Sequence, residues 1–127
     1  MYKAKWLTML LLGFLFCGCG PDTIFLRPAL DTPSQHVANG QQLLERGKID
    51  DACREFDRAK ELDPDYVQAY VGLGVALGYK GDIEAGMQTM GMAKQMASSS
   101  EDHEVVQKGF EQLDELKRLQ KGTQPSD

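Results

Sequence analysis

Side chains able to do nucleophilic or metal chemistry are few here, and their spacing limits them further. The chain of 127 residues holds three cysteines and two histidines. His36 and His103 lie far apart, and neither has neighbours at a metal-ligand spacing. Both read as structural or solvated, so no metal ligand is assigned. Asp50-Asp51 and Glu101-Asp102 fall near expected helix N-termini, where negative charge complements the helix dipole. No nucleophile has a placed base, and no glycine-rich phosphate loop is present. No catalytic residue or cofactor is assigned, and the chain reads as a non-enzyme.

The cysteines carry the remaining chemistry, and their context decides which. MYKAKWLTMLLLGFLFCGCG opens with Lys3 and Lys5 and continues as an apolar run from Trp6 to Phe16. A basic start and a short apolar stretch describe an export signal, residues 1–18. The run is too short for a membrane span, which needs roughly 20 apolar residues. Phe16-Cys17-Gly18-Cys19 resembles a bacterial lipobox, in which a small residue precedes the lipidated cysteine. Gly18 meets that requirement for Cys19, whereas bulky Phe16 stands before Cys17. The alternative is ordinary signal cleavage, but no A-x-A-like site is present.

The resemblance implies diacylglycerol and a further acyl chain, such as palmitate, on Cys19. Burial of such chains is worth about 0.8 kcal/mol per methylene, and more than one chain makes the attachment stable. Gly20 after the lipidated cysteine implies sorting to the outer membrane, facing the periplasm. Cys17 would leave with the signal, so Cys53 would be the remaining thiol and no disulfide could form within the domain. Cys53 reads as a buried, inert thiol.

Residues 19–34 read as the lipidated N-terminus and a tether. Pro21, Pro28 and Pro33 interrupt it, and no helical period runs through it. A flexible coil of this length spans roughly 20 Å. Ile24, Phe25 and Leu26 are unusual in a tether, and either dock on the domain's own surface or meet a partner.

From there to residue 120 the pattern is helical. Adding 34 residues takes Gly40 to Gly74, Leu43 to Leu77, Gly47 to Gly81, Ile49 to Ile83, Ala59 to Ala93 and Lys60 to Lys94. That run is an internal repeat. Helices are expected over about 35–46 with Ser34 as N-cap, 49–62, 66–79 capped by Asp65, and 83–97. A fifth spans about 102–119, with Val105, Val106, Phe110, Leu113 and Leu116 as its apolar stripe. Residues 121–127 read as a disordered tail.

These landmarks resemble the tetratricopeptide repeat family, whose unit is two antiparallel helices. Ala52, Phe56, Ala59 and Pro64 carry the resemblance in the first copy, about 33–66. Tyr70, Leu73, Gly74, Leu77, Gly81 and Ala93 carry it in the second, about 67–100. Departures are His36 and Asn39 in the first copy, and Gly86, Met90 and Ser98 in the second, where the family has alanine, an aromatic and proline. The fold class expected is all-α, a helical-hairpin solenoid of two repeats with a capping helix over the open end. Gly72, Gly78, Gly86 and Gly91 lie inside helices at about 1 kcal/mol each relative to alanine, so the domain should be marginal alone. Met87, Met90, Met92 and Met96 read as core filling.

Such hairpins form a concave face lined by the first helix of each pair. Here that implies a peptide-binding groove of Val37, Gln41, Leu44, Val71, Val75 and Tyr79, suited to an extended or helical peptide with aliphatic side chains. These residues lack the lysines and asparagines with which some relatives clamp a terminal carboxylate. The formal charge of −5, or −7 once Lys3 and Lys5 are removed, comes with no basic cluster and argues against nucleic acid. The expectation is a membrane-anchored scaffold lipoprotein of the bacterial envelope, binding a protein or peptide partner in assembly of a secretion, pilus or other envelope complex. The alternative is a self-associating structural lipoprotein with no separate client.

Overall fold

Two glycines with positive φ set the fold's punctuation. Gly47 (φ 72°) and Gly81 (φ 98°) occupy the left-handed region, which a side chain would strain. Around each, two backbone bonds close the preceding helix. Gly47 N–H donates to Leu44 C=O and Lys48 N–H to Leu43 C=O, both at 2.9 Å. Gly81 N–H to Gly78 C=O and Asp82 N–H to Leu77 C=O repeat the pattern at 3.0 Å. This double bond is the Schellman ending, and it turns each helix back on its neighbour.

The computed structural model describes residues 31–122. Its helices are α1 (Pro33–Glu45), α2 (Ile49–Leu62), α3 (Val67–Tyr79), α4 (Ile83–Met96) and α5 (Ser100–Gly122), with no strand among the described residues. Hairpins α1–α2 and α3–α4 stack through α2 against α3, while α5 packs on both α3 and α4. The chain therefore folds as an all-α solenoid of two helical hairpins closed by a fifth helix. The signal segment, Cys19, the tether to residue 30 and residues 123–127 lie outside the described residues.

Helix starts depart from the sequence reading. Thr32, not Ser34, caps α1: its hydroxyl accepts from Gln35 N–H at 3.2 Å, with Pro33 in the first turn. Proline lacks the N–H that would need a partner there, which lets the helix begin earlier. Asp65 does not cap α3, which starts after Tyr66 without a side-chain cap; the Asp65 N–H instead donates to Asp63 Oδ1 at 3.1 Å. Asp82 caps α4 by accepting from Ala85 N–H at 3.0 Å. Helix α5 starts at Ser100 because Ser99 Oγ accepts Asp102 N–H at 3.0 Å while the Asp102 carboxylate takes Ser99 N–H at 3.1 Å. That reciprocal pair satisfies two donors that a helix start leaves open. The same helix runs through Gly122, so residues 121 and 122 are helical rather than tail.

The apolar core falls into two linked clusters. Val37, Ala52, Phe56, Ala59, Ala69, Leu73 and Ala76 join the first hairpin to α3. Val67, Val71, Val75, Met90, Ala93, Val106 and Leu113 join α3, α4 and α5. Met90 is fully buried, and Met87 and Met96 pack against the second cluster. Met92 differs, at 45% exposed. Of Gly72, Gly78, Gly86 and Gly91, three have packing roles. A Cβ at Gly72 would meet Phe56, one at Gly78 would meet Leu113, and one at Gly86 would lie 2.7 Å from Gly74 O. Gly91 has nothing within 4 Å and keeps only the helix penalty.

Candidate functional site

Helix α3 presents its valines to a groove between α1 and α5. Val71 and Val75, one turn apart, form the floor with Gly72 between them. Gln41, Leu44 and Glu45 of α1 make one wall, and Val105 and Gln112 of α5 the other. Gln68 and Tyr79 stand towards the two ends of α3, and the edge of Phe56 reaches in from α2. The groove has a volume of about 400 Å³.

Of the six groove residues named from sequence, five line this space. Val37 does not line it; it is buried in the first core cluster at 6% exposure. Val71 and Val75 are also buried, at 8% and 5%, so they serve as floor and core together. Tyr79 is 54% exposed and free to meet a ligand. Sequence reasoning missed Glu45, Phe56, Gln68, Gly72, Val105 and Gln112. The signal for two of them was the repeat itself, since the 34-residue step from Val37 to Val71 leads on to Val105, and that from Leu44 to Gly78 leads to Gln112. Helix α5 is thus both a cap and the groove's second wall.

The groove's chemistry is that of recognition. Three glutamine amides can each donate and accept, which matches the alternating N–H and C=O groups of a peptide backbone. The valine floor offers aliphatic contact, and Tyr79 adds an aromatic body with a hydroxyl. Among the lining residues described, Glu45 alone carries a charge. A larger depression, about 560 Å³, lies between the first turn of α4 and the last turns of α5, with Ile83 and Met87 against Lys117 and Lys121. It shares no lining residue with the groove.

Other side chains of interest stand apart from the groove. Cys53 is half-buried against the first cluster, and burial pushes its thiol pKa above 9.0. Among the described residues no group of three or more His, Cys, Asp or Glu side chains could hold a metal ion. Within the same residues no helix is long and apolar enough to cross a membrane.

A family model described as TPR repeat matches residues 40–81. Over this stretch the chain is similar to a tetratricopeptide repeat. The match runs from the middle of α1 through α2 and α3 to the second turn glycine, and so takes in most of the groove. Tetratricopeptide repeats generally mediate binding to protein partners and are typically non-enzymatic. The fold's two hairpins, their Schellman turns and the Tyr70 hydroxyl donating to Pro64 C=O at 2.8 Å are consistent with that likeness. No curated protein and no solved structure matches the chain.

Proposed function

We propose that this protein is a lipid-anchored adaptor of the bacterial envelope, whose tetratricopeptide groove docks a peptide segment of a partner protein. The observation that carries the docking role is the groove itself, a valine floor ringed by Gln41, Gln68 and Gln112. It suits an extended segment with aliphatic side chains, read through its backbone by the amides. No lysine or asparagine lines it, which disfavours capture of a terminal carboxylate.

The anchor rests on the lipobox-like Phe16-Cys17-Gly18-Cys19 behind a basic and apolar start. Lipid on Cys19 would fix the location, the tether would set the reach, and the groove would select the partner. Assembly of a secretion system, pilus or other envelope complex is the process such an adaptor serves in this reading.

Photo-crosslinking in cells from position 79, followed by mass spectrometry, tests the docking role. A recurrent second protein, lost in Gln41→Arg and Gln112→Arg, supports it. Both positions are exposed, so these changes leave the core intact. Adducts only with further copies of this chain would replace the adaptor by a self-associating structural protein. Radiolabelled palmitate incorporation that survives Cys17→Ser and disappears in Cys19→Ser would support the anchor, and absence of label would remove it.

A further inference from the structure

His36, in the first turn of α1, has a carboxylate at each ring nitrogen. Nε2 is 2.8 Å from Asp31 Oδ1, and Nδ1 is 2.8 Å from Glu55 Oε2. An ionised carboxylate only accepts, so each ring nitrogen must bring its own proton, and imidazolium alone has two. Neutral imidazole in this place would aim a lone pair at one of the two carboxylates. The side chain is only 16% exposed, so water cannot freely replace the missing donor.

Both carboxylates are held by a second donor. Arg58 Nη2 donates to Asp31 Oδ2 at 2.8 Å, and Asn39 Nδ2 to Glu55 Oε2 at 3.2 Å. Helix α2 thus faces His36 with Glu55 and, through Asp31, with Arg58. Helix α3, also packed on α1, has no acidic or basic side chain; its Tyr70 is bonded to Pro64 and its Tyr79 lies in the groove. Burial works against the imidazolium, but the bonds to Asp31 and Glu55 outweigh it and raise the His36 pKa above 6.5. The Arg58 guanidinium, and then His36, draw Asp31 below 3.8.

We infer that His36 is a pH-dependent latch, whose imidazolium ties Asp31, where the N-terminal segment joins the domain, to Glu55 of α2. The latch is closed while Asp31 and Glu55 are ionised and His36 is protonated, and its upper limit is the His36 pKa, raised above 6.5. As pH rises past the His36 pKa, one of the two bonds loses its proton and the bridge opens. What then holds Asp31 is its pair with Arg58, in which both side chains are nearly half exposed. Such a pair constrains little. The closed latch holds Asp31 between His36 of α1 and Arg58 of α2, and the open one leaves it to Arg58 alone. On the anchored reading proposed above, this makes the hold on residue 31, where the domain begins, depend on pH independently of what the groove binds.

The test is a histidine side-chain titration of the full-length chain by long-range ¹H–¹⁵N NMR, with His103→Gln assigning the two rings. Expected are a His36 midpoint above 6.5, both ring nitrogens protonated below it, and Asp31 and Thr32 amide shifts that follow the same midpoint. Asp31→Asn should lower that midpoint while the circular dichroism spectrum stays unchanged. Glu55→Gln should lower it as well, through the other ring nitrogen. A His36 midpoint at or below 6.5, amides at 31 and 32 that ignore the titration, or a midpoint indifferent to Asp31→Asn would each overturn the latch.

Discussion

The ring of Phe56 lies against α3 at Gly72, so near that a Cβ there would stand 2.3 Å from Cε1. Gly40 of α1 likewise leaves the same ring only enough room for a hydrogen, with a Cβ position 2.6 Å from Cε1. Phe56 is fully buried, and its ring packs close to both glycines. The aromatic that marks the repeat is accommodated by removing side chains on both neighbouring helices.

Gly72→Ala should therefore destabilise the domain. The better helix propensity of alanine is worth about 1 kcal/mol, but overpacking costs about 1–3 kcal/mol, and the fully buried ring places this site at the upper end. Gly91→Ala, which meets nothing within 4 Å, should instead stabilise by about 1 kcal/mol. For a domain of this size that is a rise in Tm of about 4–8 °C. Thermal melts of the two variants should move in opposite directions.

Gly86 stands where the family resemblance leads one to expect alanine. Helices α3 and α4 approach here through backbone, with Gly74 O 2.7 Å from the position of a Cβ on residue 86. A carbonyl in a helix cannot move aside as a side chain can. Gly86→Ala, although it restores the family residue, should cost about 1–3 kcal/mol in urea denaturation. Unchanged or increased stability would mean that the two helices separate without penalty.

Stability should depend on pH through His36. Its folded pKa is raised, so its contribution is complete below about 6.5 and is lost as pH rises through the folded value. The urea midpoint of the wild type should exceed that of His36→Gln on the acid side of this range, and the two should converge on the alkaline side. A constant difference between them would show that packing, not the proton, accounts for the effect.

Cys53 should be a slow nucleophile. Burial raises its thiol pKa, and only the thiolate attacks. Alkylation followed at the Cys53 peptide by mass spectrometry should run at least about tenfold slower in the native protein than in urea at the same pH. Equal rates would mean that this part of α2 opens readily.

Val75 illustrates why a groove residue can be a poor probe of binding. At 5% exposure it belongs to the second core cluster, so Val75→Glu would bury a charge and test folding rather than docking. Gln41 and Gln112 report on the groove alone because their side chains stand at its rim.

Periodicity by itself determined most of the architecture. A 34-residue step that preserves Gly47 and Gly81 specifies two hairpins, since each glycine supplies a left-handed residue that the Schellman turn requires. The Ile49–Leu62 helix could be read to its ends because a turn glycine and Asp63-Pro64 bound it locally. Tertiary structure decided what local pattern does not encode. Thr32 over Ser34 as a cap depends on which hydroxyl faces the free N–H groups, and Val37 inside rather than at the groove depends on how α1 rolls against α2 and α3. Gly72 and Gly86 look like weak points in a helix until their neighbours are in place, because close approach is a property of two helices and not of one. The His36 bridge is likewise invisible in sequence, since Asp31 and Glu55 reach the same ring only after α2 has folded back on α1.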